Sequence, residues 1–255
     1  MPTDGFQNSD ASKRGELARV YVGCATWAIG AANDHLLPHV GGGNLARYAA
    51  RLTAAEVNSS FHREHRHATW GRWSRSVGPS FRFSVKLPKT ITHERRLRDV
   101  DDVLDAFAAE VSMLGEKLAV VLVQLPPSFA FDEALVDDFD RRIRARLDVA
   151  FAWEPRHPSW FDDAVDAFLG ARGIARVAAD PAVVPRAGEP GGSSSFRYFR
   201  LHGSPVTYRS SYDAAFLDTL APKLRAGDWC IFDNTASGAA LGNALSLLGR
   251  VRPAN

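Results

Sequence analysis

Cysteine is scarce in this chain, with two residues in 255. Cys24 and Cys230 lie in apolar runs and lack the spacing of a zinc site or a redox pair. We therefore expect two buried thiols in a reducing compartment. No apolar run approaches the roughly 18 residues needed to span a bilayer. Residues 1–17 lack the apolar core of a signal peptide, so we interpret them as a disordered polar tail and expect a cytoplasmic protein without a membrane partner.

A charge excess of one sign is also absent. Lysine and arginine number 31 and aspartate and glutamate 29, which leaves a net charge of +2. Without a global basic field, a nucleic-acid partner is only weakly supported. The Walker A and GxSxG motifs do not occur. His62, His65 and His67 lack the spacing of a helical zinc motif. We accordingly predict no metal and no cofactor.

The sequence does contain a regular alternation of two kinds of segment. Short apolar runs, several of them β-branched, recur eight times, as expected for parallel strands buried on both faces. The predicted strands are 19–25, 54–61, 81–87, 118–125, 148–154, 174–180, 196–202 and 227–234. Segments with a helical pattern separate most of them. The predicted helices are 45–52, 68–77, 100–114, 132–147, 161–171, 212–225 and 237–248.

This alternation with short links predicts a parallel sheet. Eight strands in 255 residues match an α/β protein of the (β/α)₈ TIM-barrel type, which takes about 250 residues. The link 181–195 departs from the pattern because it is rich in Pro, Gly and Ser. We interpret it as a long loop between strands 6 and 7 that replaces a helix. The prediction is a single barrel domain over residues 18–252.

Polar side chains stand near the C-terminal ends of seven consecutive predicted strands. A charge in a barrel core is costly unless it is paired or faces a site. The C-terminal strand ends of a TIM barrel meet at one mouth, where its enzymes place their active sites. We therefore expect these groups to converge. They are Glu56, Asn58, Lys86, Gln124, Glu154, Arg156, Asp180, Arg200, His202, Asp233 and Asn234.

The charged residues in this set suggest anion binding and proton transfer. Lys86, Arg156 and Arg200 are predicted to hold an anion, because guanidinium groups bind phosphate or carboxylate bidentately. Glu154 is predicted to be the general base or acid, with His202 as its partner in proton transfer. Lys86 is also a catalytic candidate, since a desolvated lysine forms Schiff bases.

Amide and loop residues complete the predicted binding site. Asn58, Gln124 and Asn234 are expected to orient the substrate. Asp180, at the end of the sixth strand, is predicted to contact it. His93 lies in a basic segment after the third strand that is suited to an anion such as phosphate.

Six segments stand in order along the chain and are specific when taken together. They are EVNSSF (56–61), FSVKLPKTITHERRL (83–97), VLVQLPPSF (121–129), WEPRHPSWF (153–161), YFRLHG (198–203) and FDNTASGAALGNA (232–244). They resemble the YecE-like family, a domain of unknown function. The resemblance implies a TIM barrel and no particular reaction. The positions that match its motifs are Glu56, Asn58, Lys86, Thr92, His93, Gln124, Glu154, Arg156, Asp180, Arg200, His202 and Asn234.

The chain departs from the family pattern in three places. The family opens on a GTSGW-type strand followed by an aromatic loop, whereas this chain has GCATW at 23–27. His62 stands where the family usually has tyrosine. Asp233 stands where the family usually has asparagine, and this added carboxylate would change the charge of the mouth.

Three functions stay open from the sequence, and an enzyme is the first. It would be a hydrolase or lyase that binds a small anionic or phosphorylated ligand at the mouth and acts by acid/base chemistry. The second is a metal-assisted phosphoesterase or nuclease-like barrel with Glu56, Glu154, Asp180 and His202 as ligands. Nearby cationic side chains argue against it, because they would compete with a metal ion for the carboxylates.

The third is a module that binds nucleic acid or a metabolite without acting on it. Its basis is a local cationic and aromatic surface, formed by the basic segments 62–67 and 93–99 together with Trp70 and Trp73. The near-neutral net charge argues against strong binding of nucleic acid.

Overall fold

The structure, a computed structural model, describes residues 19–251. The tail predicted at 1–17 lies outside the described residues. The strands of the described part are β1 (Tyr21–Cys24), β2 (Ala54–Val57), β3 (Arg82–Lys86), β4 (Leu118–Gln124), β5 (Ala150–Glu154), β6 (Ile174–Arg176), β7 (Ala178–Asp180), β8 (Gly191–Gly192), β9 (Tyr198–Leu201) and β10 (Trp229–Phe232). Its α-helices are α1 (Asn44–Ala49), α2 (His67–Arg75), α3 (Asp101–Val111), α4 (Glu133–Arg144), α5 (Asp163–Ala171), α6 (Ala214–Leu220) and α7 (Ala239–Val251). Short 3₁₀ helices occupy Ala31–Leu36, Ser59–Phe61, Ser112–Lys117, Pro158–Trp160, Pro185–Gly188 and Ala221–Lys223, and a π-helical turn occupies Thr90–Glu94.

Parallel strands follow one another around a ring. β2 to β6 pair in sequence order, and β7, β9, β10 and β1 form a second ladder. The ladders meet within the predicted sixth strand, since β6 and β7 flank Val177, whose N–H donates to the Trp153 carbonyl at 2.8 Å. They also meet where β1 lies beside β2. The predicted TIM-barrel fold is confirmed, with its hydrogen-bonded ladder interrupted at these two joins.

The Tyr48 side chain bridges β1 and β2. Its hydroxyl accepts from the Cys24 N–H at 2.7 Å and donates to the Ala54 carbonyl at 2.9 Å. Gly23 is required at this approach, because a Cβ there would lie 2.0 Å from the Ala54 carbonyl oxygen. The close contact of the two strands therefore depends on a glycine and on one buried tyrosine.

Alternate residues of each strand face the barrel interior, as the pleat requires. Toward the N-terminal ends of the strands this interior is apolar. It contains Tyr21, Ala25, Ala54, Val120, Leu122, Ala152, Val177, Tyr198, Trp229 and Ile231. The next inward position along several strands is charged, and Glu56, Glu154 and Arg200 each stand two residues beyond one of these apolar side chains. The strand period thus aims charges into the C-terminal mouth.

Helices cover the outside of the ring. α4 buries Val136, Phe139 and Ile143, whose spacing presents one apolar stripe to the strands. Aspartates cap several helices by accepting from a backbone N–H three residues on. These N-caps are Asp132, Asp162 and Asp213. Across residues 19–251, no helix combines the length and the apolar character needed to cross a membrane.

The two cysteines lie in the outer layer, between strands and helices. Cys24 and Cys230 are both free and buried, as the sequence predicts. Burial raises the pKa of the Cys24 thiol to about 12 and raises the pKa of Cys230 as well. Both therefore stay protonated and act as small apolar side chains.

The loop after β7 takes the place of a sixth helix, and it carries the short strand β8, which the sequence analysis did not predict. β8 runs antiparallel to β6. Arg176 of β6 anchors the loop, because its guanidinium donates to Asp166 of α5 at 2.7 Å and to the carbonyls of Arg186 and Glu189 at 3.2 and 3.1 Å. A groove of about 570 Å³ remains between this loop and α6, over the outer face of β7 and β9.

Candidate functional site

Arg200 lies in the barrel mouth and is completely buried. Its Nη1 donates to Glu154 at 2.6 Å, and its Nε and Nη2 donate to the two oxygens of Glu56 at 3.0 and 2.6 Å. Nη2 also donates to Asp233 at 3.1 Å. Each guanidinium nitrogen is engaged by a carboxylate, so Arg200 holds the barrel's own anions. This corrects the prediction that Arg200 binds an external anion.

Glu56 has further partners below Arg200. The Tyr198 hydroxyl lies 3.0 Å from Glu56 Oε2 and 2.9 Å from the Ser84 hydroxyl. A buried carboxylate is tolerated when its lone pairs are satisfied in this way. Glu56 is thus part of the foundation of the mouth.

His202 is clamped between two carboxylates. Its Nδ1 lies 3.0 Å from Asp233 Oδ2, and its Nε2 lies 2.9 Å from Glu154 Oε1. Burial alone would lower the pKa of His202, but Glu154 and Asp233 raise it above its ordinary value. The imidazolium form donates to both partners, so His202 is a cation within the cluster. We call Glu56, Glu154, Arg200, His202 and Asp233 the buried charge cluster.

Glu154 is held in its ionised form. Burial would raise its pKa, but Arg200, His202 and Arg156 hold the pKa of this carboxyl well below its usual range. Arg156 Nη2 donates to Glu154 Oε1 at 3.0 Å. A carboxylate that accepts from three cations is a weak base. The geometry therefore favours Glu154 as an anchor for cations over the predicted role of general base.

Lys86 differs from every member of that cluster. It is buried, with 6% of its surface exposed, and its Nζ lies 3.9 Å from the centre of the Phe61 ring. Its ammonium makes no hydrogen bond or ion pair within residues 19–251. Burial lowers the pKa of Lys86 to about 8, Arg200 adds to this, and Glu56, Glu154 and Asp233 oppose it in part. Lys86 is therefore a largely buried lysine whose amine has no bonding partner within residues 19–251.

Two further basic side chains flank Lys86. Arg156 donates from one nitrogen, Nη2, to Glu154, and a quarter of its side chain is exposed. His93 rests edge-on against Phe61, with ring centres 5.0 Å apart, and its Nδ1 lies 2.8 Å from the Thr92 hydroxyl. Burial, followed by the charges of Lys86 and Arg156, lowers the pKa of His93. We call Lys86, His93 and Arg156 the open basic group.

Two predicted amides also border the mouth. Gln124 pairs in register with Glu154, so its side chain faces the same side of the sheet. Its side-chain amide is half-buried and makes no hydrogen bond with residues 19–251. Asn58 Nδ2 lies 3.4 Å from Asp233 Oδ1, while its own Oδ1 is buried without a partner in the described part of the chain. Both amides retain donors or acceptors for a ligand.

Tyr208 is a site residue that the sequence analysis missed. It lies in the loop after β9, 43% exposed, with its ring edge-on to His202 at 5.8 Å. The pKa of Arg156 is raised chiefly by Glu154 against the effect of burial, and Tyr208 contributes, so the phenol lies near that guanidinium. Its φ of 67° is left-handed, which is strained for a residue other than glycine and is often retained at functional sites.

Two predicted binding residues face away from the mouth. Asp180 lines the outer groove and accepts a hydrogen bond from the Tyr212 hydroxyl at 2.7 Å. Asn234 is fully buried and donates to the Ser210 carbonyl and to Asn243 of α7, both at 2.9 Å. Each stands at an outward position of the strand pleat, so the sequence-based assignment of both is corrected.

The surface proposed for nucleic acid also loses its aromatic component. Trp70 is fully buried, and its indole N–H donates to Glu110 at 3.1 Å. Trp73 packs edge-on against Trp70 and Trp27, with ring centres 5.1 and 5.0 Å apart. Trp70 has no exposed face for a base, and the half-buried Trp73 is engaged in packing.

Comparison with known proteins identifies the relatives of this chain. A family model described as a protein of unknown function, DUF72, matches residues 21–255. The chain belongs to this family. The expected YecE-like membership is confirmed by the curated protein UPF0759 protein YecE of Escherichia coli, 25% identical over 175 residues. That match spans 63% of this chain and 59% of the length of YecE.

Solved structures of the family share the fold. A DUF72 family protein of Enterococcus faecalis superposes with a TM-score of 0.76 at 19% identity, covering 93% of this chain and 97% of that one. A DUF72 family protein of Thermotoga maritima gives 0.73 at 25% identity, covering 89% and 97%. SacUVDE superposes with a TM-score of 0.50 at 11% identity, covering 91% of this chain and 97% of that one. This is a likeness of fold alone.

Proposed function

We propose that the barrel mouth binds a small anionic ligand, a carboxylate or phosphate compound, between Lys86, His93 and Arg156, and acts on it by proton transfer. The observation that carries this proposal is the unpaired ammonium of Lys86. A buried charge without a partner is costly, and a bound anion would supply the partner. The function of Lys86 would therefore be directed to something outside the chain.

The division of charge in the mouth supports an anion over a cation. The three carboxylates of the buried charge cluster are already satisfied by Arg200 and His202. The open basic group makes one bond to a carboxylate, from Arg156 to Glu154. An approaching anion would therefore meet donors, whereas a cation would have to displace existing ion pairs.

His93 is the better candidate for proton transfer at this site. Both nitrogens of His202 are engaged by carboxylates, so it has no nitrogen free for a ligand. His93 commits Nδ1 to Thr92, and its Nε2 makes no hydrogen bond within residues 19–251. With its pKa lowered, His93 is neutral at neutral pH, which is the form that accepts a proton.

The charge distribution weakens the metal-assisted alternative. Glu56, Glu154 and His202 would have to leave Arg200 and Asp233 to ligate a metal, and Asp180 lies in the outer groove. Within residues 19–251, no group of acidic, histidine or cysteine side chains has the arrangement of a metal site. The donors offered to a ligand in the mouth are cationic and amide groups.

Equilibrium binding of inorganic phosphate and of oxalate tests the proposal. Titrations at constant ionic strength would compare the wild-type protein with Arg156→Gln and His93→Gln. A charge-assisted hydrogen bond contributes about 1.5–3 kcal/mol, so each substitution should weaken binding roughly tenfold to hundredfold.

Arg141→Gln serves as the matched control, because Arg141 lies on the outer helix α4 and is 68% exposed. It removes one positive charge, as Arg156→Gln does, and should leave the Kd unchanged. Equal losses in all three variants would indicate a general charge effect and would overturn the assignment. So would the failure of both anions to bind at millimolar concentration.

A further inference from the structure

Lys86 differs from the other described lysines in its surroundings. Lys89 pairs with Glu94 at 3.0 Å and is about half exposed. Lys117 donates to the backbone carbonyls of Ser74 and Val77. Lys223 is exposed. Among the lysines within 19–251, Lys86 alone is buried in the mouth without a hydrogen-bond acceptor or a carboxylate partner.

We propose that Lys86 is a nucleophile that forms an imine with a small anionic aldehyde or ketone, such as a 2-oxo acid. This inference rests on the proposed function, because Arg156 and His93 would hold the anionic group of the same ligand. It adds a covalent role for the amine and narrows the ligand to carbonyl compounds.

The position of the amine favours nucleophilic attack. No hydrogen bond from Nζ has to be broken before it reacts, and the Phe61 ring covers one side of it. Desolvation of a lysine beside a second cation is the arrangement that makes an amine available near neutral pH. Arg200 is that cation, and the lowered pKa of Lys86, about 8, agrees with this geometry.

The facing charges also suit the product. Glu56, Glu154 and Asp233 all lie close enough to raise the pKa of Lys86, against burial and Arg200. A protonated imine keeps the single positive charge of the ammonium. The carboxylates would therefore stabilise it without rearrangement of the buried charge cluster.

The step balances without any oxidant or further reactant. The neutral amine of Lys86 attacks the carbonyl carbon; a carbon–nitrogen bond forms as the carbonyl π bond breaks, which leaves a positive charge on nitrogen and a negative charge on oxygen. Neutral His93, with its free Nε2 and lowered pKa, accepts a proton from this nitrogen and passes it to the oxygen, which gives the carbinolamine. A second proton, taken from solvent, lets the hydroxyl leave as water, and the nitrogen lone pair forms the carbon–nitrogen double bond of the protonated imine.

Reductive trapping tests this inference. The whole protein would be incubated with pyruvate and sodium cyanoborohydride near neutral pH, digested, and mapped by mass spectrometry. We expect modification of Lys86 at an initial rate at least tenfold above those of Lys89, Lys117 and Lys223. Similar rates at all four lysines would overturn the proposal.

Two further measurements separate the imine from simple anion binding. Lys86→Arg keeps the positive charge but has no nucleophilic amine, so it should lose the fast adduct. Excess phosphate should slow trapping at Lys86 and leave Lys89 unaffected. If phosphate binds as proposed but Lys86 is never trapped selectively, the imine is wrong and the anion site stands. If phosphate does not bind, the proposed function fails first.

Discussion

Arg200 Nη1 donates to Glu154 Oε2 at 2.6 Å, with both side chains almost completely buried. The same guanidinium also binds Glu56 and Asp233, so one cation joins three acids that would otherwise repel one another. This arrangement leaves Lys86 outside the network. The contrast between a satisfied arginine and an unsatisfied lysine separates the structural part of the mouth from the part that faces a ligand.

Arg200→Met tests the structural part. The substitution leaves three buried carboxylates without their cation and should lower the free energy of unfolding by about 3–5 kcal/mol at neutral pH. The difference in stability between wild type and variant should shrink as the pH falls. The pKa values of Glu154 and Asp233 are lowered in the folded wild-type protein, so wild type loses stability when these groups take up protons. The variant lacks the Arg200 charge, so protonation of its carboxylates costs it less. Urea unfolding at two pH values measures this.

The exposed Arg95, which pairs with Asp102 at the surface, provides the control. Arg95→Gln should change stability little, because exposed ion pairs are screened by solvent. A loss below about 1 kcal/mol for Arg200→Met would contradict the central role given to this guanidinium.

His202→Gln tests the carboxylate clamp through pH. The folded-state pKa of His202 is raised by Glu154 and Asp233 against burial and Arg200. The stabilisation that protonated His202 contributes is therefore fully present below the ordinary histidine pKa of about 6.5. It is lost as the pH rises through the pKa of His202 in the folded protein. The free energy of unfolding of wild type minus variant should be largest in mild acid and decline toward alkaline pH.

His39→Gln is the comparison for that experiment, since His39 is 76% exposed on the surface. Its effect on stability should be small. A difference between wild type and His202→Gln that stays constant across the pH range would show that His202 is held as a neutral ring.

Tyr208→Asn tests the strained tyrosine. Asparagine tolerates a left-handed backbone better than tyrosine, so the substitution should leave the free energy of unfolding within about 1 kcal/mol of wild type. It removes the phenol beside Arg156. Loss of one hydrogen bond from this neutral, partly exposed donor to a bound anion should weaken phosphate binding about twofold to tenfold. Unchanged binding would exclude Tyr208 from the site, and a large loss of stability would indicate a packing role.

The sequence predicted the barrel and the convergence of Glu154, Arg200 and His202 for one physical reason. Parallel strands in a closed ring bring their C-terminal ends together. Lys86 and Gln124 lie at the mouth for the same reason. Their presence there required only the order of strands along the chain.

Asp180 and Asn234, the two predicted binding residues that face away from the mouth, do so for the same reason. In the sixth predicted strand (174–180), Ala175 and Val177 point inward. In the eighth predicted strand (227–234), which contains β10, Trp229, Ile231 and Asp233 point inward. Asp180 and Asn234 stand at the opposite parity and face the helices. Their position near a strand end was therefore a weaker signal than the alternation of the strand that carries them.

Other features of the site could not be predicted from sequence patterns. Whether Arg200 serves a ligand or the chain depends on which acids surround it. Glu56 comes from β2, in the other ladder, and Asp233 follows β10, the strand paired with β9. Tyr208 lies in a loop without periodicity. Its left-handed backbone and its contact with His202 are set by tertiary packing.

The amine reactivity of Lys86 tests the account most directly. Labelling of the whole protein with a small acylating reagent, quantified by mass spectrometry across pH, reports the titration of each lysine. Burial and Arg200 lower the pKa of Lys86, and Glu56, Glu154 and Asp233 oppose them in part. Lys86 should therefore reach half-maximal reactivity at a pH of about 8. Inorganic phosphate should protect Lys86 from the reagent. Exposed Lys89 provides the reference in the same sample. Titration of Lys86 together with Lys89, without protection by phosphate, would contradict the claim that the mouth keeps an unpaired amine for an anionic ligand.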